Sequence, residues 1–171
     1  LTAFQKAHGI PRQIVGYDAI IADPDIDVIY IGLPNHVHHM VAIKASENGK
    51  AVLSEKSLTT TMDDAHALVN KVQQNQTFFV EGLMYLSHPF CKKFHDVLSD
   101  GRLGALKSVH GFYAADIWKL VNPLRNGTLF NLGCYPVSLL HLIVQTLCGE
   151  AAFAARKMLG LGNFSTHDGN I

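Results

Sequence analysis

Three short runs rich in β-branched and aromatic residues, at 28–33 (VIYIGL), 51–53 (AVL) and 77–80 (TFFV), are separated by two stretches that read as helices. Connections of a dozen or more residues are too long for hairpins, and in one sheet they join parallel strands by right-handed crossovers. Pro34 and Asn35 break the first run. Residues 38–48 then read as a helix closed by Gly49, because glycine takes the left-handed backbone of a C-cap without steric cost. After the second run, Thr59 to Thr61 offer hydroxyl caps to a helix over 62–74, whose Ala65, Leu68, Val69 and Val72 fall on one stripe. The run 28–33 has no polar alternation, so it reads as a strand buried on both faces. The alternation predicts a parallel α/β layer, preceded by a short helix over 3–8 that ends at Gly9.

The pattern changes near Glu81, and a domain boundary is expected between about 81 and 90. Beyond it, 89–98 reads as a helix with Phe90, Phe94, Val97 and Leu98 on its apolar face. Gly101 and Gly104 bracket a turn, and 106–114 alternates like a half-buried strand. A loop rich in Asn and Gly covers 122–127, a strongly apolar helix 136–147, and 153–159 reads as one more strand. A strand needs neighbours, so truncation at both ends is expected, with further residues ahead of Leu1 in the full gene product.

Fourteen basic side chains balance fourteen acidic ones, which leaves no basic field for a phosphate backbone; nucleic acid is not an expected partner. The apolar runs are too short to span a bilayer, so no membrane association is expected. Cys91, Cys134 and Cys148 are odd in number and far apart. That usage suits free thiols in a reducing compartment, and the expected location is the cytoplasm.

Ligands of parallel α/β sheets sit beyond the carboxyl ends of the strands. Three loops meet that description: 33–36, 54–57 and 81–85. In the second, Glu55 and Lys56 are either a solvated pair or a functional one. In the functional reading the Lys56 ammonium holds a substrate hydroxyl or cofactor ribose and stabilises developing alkoxide, while Glu55 holds the lysine or tunes it. Tyr135, at the start of the apolar helix, is either a core tyrosine or a phenol that relays a proton. His36 and His39 lie one turn apart if helix has begun, but neither an HExxH nor a paired-cysteine pattern accompanies them, and no metal is expected. His38 reads as a residue of the helix start, facing a cofactor cleft or capping. Cys134 has no identified base for nucleophilic chemistry. A Schiff base at Lys56 needs a desolvated amine, whereas Glu55 beside it favours the charged form.

These motifs together resemble the glucose–fructose oxidoreductase, inositol dehydrogenase and rhizopine-catabolism family. Its run of strand, Pro-Asn-x-x-His, helix, Gly-Lys, strand and Glu-Lys-Pro is similar to Pro34-Asn35-His36-Val37-His38, Gly49-Lys50 and Glu55-Lys56-Ser57 at matching intervals. Glu81-Gly82-Leu83-Met84-Tyr85 with His88-Pro89 resembles its exit from the nucleotide domain, and Gly101-Arg102-Leu103-Gly104 its next turn. Asn131-Leu132-Gly133-Cys134-Tyr135-Pro136 resembles its catalytic helix, in the tyrosine variety of dihydrodiol dehydrogenase-like members. The likeness covers residues from about 10 to 160.

The resemblance implies an incomplete Rossmann-type parallel sheet over 1–85, the C-terminal part of a dinucleotide-binding domain. Residues 86–171 would begin an α+β substrate-binding and dimerisation domain with a mostly antiparallel open sheet. It implies hydride transfer between NAD or NADP and a CH–OH or C=O group of a sugar, cyclitol or cyclic diol, in a homodimer or homotetramer. Lys56 and Tyr135 would be catalytic. Leu33, Pro34, Asn35, His38, Glu55, Lys56 and Glu81 would line the cofactor. Three departures stand against the family pattern: no Gly-x-Gly-x-x-Gly loop is present, Ser57 replaces a proline, and Asn131 stands where aspartate is common. They keep a second reading open, a non-catalytic dinucleotide or sugar-phosphate sensor of the same fold.

Overall fold

A computed structural model describes residues 1–116, 127–154 and 157–162. The described chain divides into two compact units, 1–81 and 82–171, each with its own packing.

In the first unit, α1 (Thr2–His8) ends on Gly9 at φ 62°, and α2 (Tyr17–Ile21) leads to β1 (Val28–Ile31). Then come α3 (Asn35–Glu47), β2 (Ala51–Ser54), α4 (Met62–Asn75) and β3 (Phe79–Glu81). The sheet order is β1-β2-β3 and both pairings are parallel, as the alternation predicts. Helix α3 starts three residues earlier than expected. Pro34 is its N-cap in an extended conformation (φ −61°, ψ 139°), so the helix begins at the next residue. Thr61 caps α4 reciprocally: its hydroxyl accepts from the Asp64 amide at 3.2 Å and donates to the Asp64 carboxylate at 2.7 Å.

The core lies on one face of the sheet. Ile29 and Ile31 of β1 and Val52 of β2 pack with Ile21, with Val41, Ala42 and Ala45 of α3, and with Leu68 of α4. Both crossovers have the same hand and step in the same direction, so α3 and α4 cover the same side. The structure corrects the expectation of a strand buried on both faces: Val28, Tyr30, Leu53 and Val80 line an exposed opposite face. Val69, expected on the core stripe of α4, is also exposed. Leu68 is completely buried. Leu68→Ala is therefore expected to lower stability by about 2–5 kcal/mol, read from the urea midpoint.

The second unit holds a 3₁₀ turn (Met84–Ser87), α5 (Pro89–Ser99), α6 (Gly127–Leu132), α7 (Cys134–Cys148) and a second 3₁₀ turn (Glu150–Phe153). The His88 ring caps α5 by accepting from the Phe90 amide at 3.1 Å, and α5 buries Cys91 and Leu98. Two expected strands are corrected. Residues 106–114 form none and are almost wholly exposed; residues 150–153 are the 3₁₀ turn, and 157–159 are irregular. Strand conformation is stabilised by a partner ladder, and the second unit has no strand among the described residues, including any of the antiparallel sheet that the resemblance implies. The expected loop at 122–127 lies outside the described residues except for Gly127, which opens α6. Among the described residues no helix is long and apolar enough to cross a membrane.

Candidate active site

The parallel register sets Ile31, Ser54 and Glu81 abreast, so the three expected loops leave the sheet at one edge. Leu33 and Pro34 are half-buried there and Asn35, the first residue of α3, is buried. The N-terminus of α3 has no side-chain cap and no acidic residue in its first turn. Such an end presents backbone N–H groups that favour negative charge.

The second loop continues the ladder for one residue, with the Glu55 amide donating to the Ile31 carbonyl at 2.9 Å. The Glu55 carboxylate accepts from the Tyr30 hydroxyl at 2.8 Å. This hydrogen bond, foremost, raises the Tyr30 pKa. Lys56 follows, half-buried, and the Lys56–Ser57 peptide bond is cis. Glu81 closes β3, and its carboxylate accepts from the Leu58 amide at 2.7 Å.

His38 lies one turn into α3 and is completely buried. Its Nε2 is 2.6 Å from the Leu33 carbonyl oxygen and its Nδ1 is 3.0 Å from that of Ser57. Burial raises the Glu81 pKa and outweighs two opposing influences, the Leu58 amide and the nearby His38. An acid whose folded pKa lies above its unfolded value binds more protons when folded as pH rises past the unfolded value of 4.5. Stability then falls with rising pH across that window. Glu81→Gln keeps an acceptor for the Leu58 amide and has no charge to bury. The variant is expected to gain in melting temperature over the parent at pH 7 and to match it near pH 4.

Tyr135 belongs to the second unit, where it is the second residue of α7. Gly133, just before the helix, has no room for a side chain: a Cβ there would fall against the Leu129 carbonyl oxygen, inside van der Waals contact. The Tyr135 hydroxyl donates to the Met84 sulfur at 3.7 Å, and its ring lies 6.2 Å from Tyr85 and 5.6 Å from Tyr113. These rings line a cavity of about 760 Å³ together with Met84, Phe112 and Leu139. The Tyr85 hydroxyl is 2.7 Å from the Ser138 hydroxyl, and burial raises its pKa. The cavity wall is thus mainly apolar and aromatic, and hydroxyls are confined to a few points, the usual make-up of a small-molecule site.

The sheet edge brings together Leu33, Pro34, Asn35, His38, Glu55, Lys56 and Glu81. Sequence reasoning missed Tyr30, although a period-two signal was present: Tyr30 is opposite Leu53, and Glu55 lies two residues further along the same face. It also missed Tyr85, Tyr113 and Ser138 around Tyr135, whose approach depends on tertiary packing. His39 lies 3.4 Å from Asp64, and among the described residues no group of three His, Cys, Asp or Glu side chains stands together to hold a metal.

Residues 2–83 match the family model described as an oxidoreductase family with an NAD-binding Rossmann fold. An uncharacterized oxidoreductase of Rhizobium meliloti, ORF334, is 33% identical over 140 residues, which cover 79% of this chain and 42% of that protein. Trans-1,2-dihydrobenzene-1,2-diol dehydrogenase of Xenopus tropicalis is 28% identical over 144 residues, covering 82% of this chain and 44% of that protein. Among solved structures, KijD10, a 3-ketoreductase from Actinomadura kijaniata in complex with NADP and TDP-benzene, superposes with a TM-score of 0.69 at 27% identity. That match covers 84% of this chain and 45% of the other. The chain spans less than half the length of these relatives.

Proposed function

The chain belongs, through residues 2–83, to the oxidoreductase family built on an NAD-binding Rossmann fold, and we propose that it works as a nicotinamide-dependent dehydrogenase or reductase. The reaction is oxidation of a CH–OH group, or reduction of a C=O group, in a sugar, cyclitol or cyclic diol. The observation that carries this reading is the common edge of the three strand ends, where Pro34-Asn35, Glu55-Lys56 and Glu81 are set side by side by the parallel register. The diol dehydrogenase and the ketoreductase among its relatives support the substrate class.

The residues present fit one part of a dinucleotide. The uncapped amino end of α3 suits a phosphate or ribose oxygen, with Leu33, Pro34 and Asn35 forming the adjoining backbone. The Gly-x-Gly-x-x-Gly turn that cradles a pyrophosphate is not among the 171 residues. NAD or NADP, when bound, supplies or takes up the hydride. Lys56 donates a hydrogen bond to the reacting oxygen and favours its alkoxide form. Glu55 is held by Tyr30 as a fixed negative neighbour of that lysine. Tyr135 gives or takes a proton in the acid–base work of the reaction. In this reading the protein works in the cytoplasm, as a homodimer or homotetramer; the free thiols Cys91, Cys134 and Cys148 support a reducing compartment.

The test is a titration of the full gene product with NADH and with NADPH, followed by turnover against aldoses, cyclitols and trans-diols. Binding of one cofactor and turnover of one substrate class is the expected result. Binding without any turnover would make the protein a sensor, and binding of neither cofactor would remove both readings.

A further inference from the structure

The segment that follows β2 is gripped at two successive residues by side chains from the two neighbouring strands' connections. On one side, the His38 ring of α3 stands 3.0 Å from the Ser57 carbonyl oxygen and, through its other nitrogen, 2.6 Å from the Leu33 carbonyl oxygen. On the other side, Glu81 at the end of β3 accepts from the Leu58 amide at 2.7 Å. Lys56 is the residue immediately before this pair.

A histidine meant for a ligand needs at least one ring nitrogen turned toward it. His38 has no exposed surface, and both of its nitrogens face backbone carbonyls of its own chain. A neutral ring donates to one of the two carbonyls and a protonated ring donates to both; in either state the polar edge of the ring is used inside the protein. Glu81 likewise spends an acceptor on the backbone of the Lys56 loop. Serine at 57 leaves both backbone dihedrals of that residue free, where a prolyl ring would hold φ.

We propose that His38 and Glu81 are positioning residues that brace 57–58 from both sides and so fix where Lys56 projects, and that neither is a contact for the dinucleotide. The effect on turnover rests on Lys56 acting at the reacting oxygen, as proposed for the dehydrogenase, but the brace itself does not. Its test therefore reads the backbone directly, by amide hydrogen exchange of the full gene product with residue resolution at Leu58.

In Glu81→Met the Leu58 amide is expected to exchange about tenfold faster, as suits loss of one hydrogen bond to a charged acceptor. Glu81→Gln, which keeps the acceptor, should restore the parental rate. In His38→Leu the exchange of 57–59 should rise while the β1 and β2 amides keep theirs, kcat should fall, and the Kd for NADH and NADPH should stay within about twofold. A displacement of about 1 Å at a reacting group is enough to lower a rate about 100-fold. A Kd weakened tenfold or more in His38→Leu with loop exchange unchanged would overturn the proposal, because that is the signature of a ligand contact. Equal exchange at Leu58 in the parent, Glu81→Met and Glu81→Gln would overturn it too, and that comparison stands even if His38→Leu does not fold. If the parent binds no dinucleotide, the functional reading fails while the exchange data still decide the brace.

Discussion

Tyr135→Phe is expected to reduce kcat by about 10²–10⁴-fold, the usual worth of positioned acid–base assistance, and to leave the Kd for NADH or NADPH unchanged. The substitution removes the phenol oxygen and keeps the aromatic ring. The phenol's hydrogen bond to the Met84 sulfur is a long one, 3.7 Å, and thioethers are weak acceptors. A phenylalanine ring keeps the edge contact with Tyr85 and the tilted contact with Tyr113, so the cavity wall survives. Loss of turnover in a variant with parental melting temperature and parental cofactor affinity would locate the defect in proton transfer. Tyr85 supplies the control. Its hydroxyl is committed to Ser138 and burial raises its pKa, so Tyr85→Phe should alter activity far less. A kcat that survives Tyr135→Phe and collapses in Tyr85→Phe would transfer the role to Tyr85.

The parallel layer is legible in the sequence because its signals are local. Helix stripes, threonine caps and glycine stops each act within a turn, and their order leaves one handed way to connect the strands. What stays hidden depends on neighbours. The side chains of 106–114 alternate as a half-buried strand should, but alternation records only a suitable surface; the ladder that makes it a strand belongs to another segment. The apolar face formed by Val28, Tyr30, Leu53 and Val80 misleads for a similar reason, since an apolar run does not say which of its faces this chain covers. The site divides in the same way. The residues at the sheet edge can be found because strand ends mark ligand loops in this architecture. The separate duty of His38 cannot: its partners are the carbonyls of Leu33 and Ser57, 5 and 19 residues away, and a backbone acceptor leaves no trace in the sequence.

Lys56→Met should lower kcat/KM by about 10²–10³-fold, the range found when one preorganised donor to a developing oxyanion is removed. Methionine keeps the length and apolar stem of the side chain, so the half-buried position remains filled. Arginine keeps the charge but replaces a compact ammonium with a broad planar fork, and Lys56→Arg should recover little of the loss. The substitutions at Lys56 and Tyr135 also test each other. If Lys56 and Tyr135 act on the same substrate oxygen, the double variant should lose much less than the product of the single losses, because groups working as a unit fail together. Multiplicative losses would mean independent tasks, with Lys56 serving cofactor or substrate binding and Tyr135 alone handling the proton. A parental rate in Lys56→Met would exclude the lysine from chemistry while leaving the brace on 57–58 intact, and the reason for gripping that loop from both sides would then have to lie in its backbone.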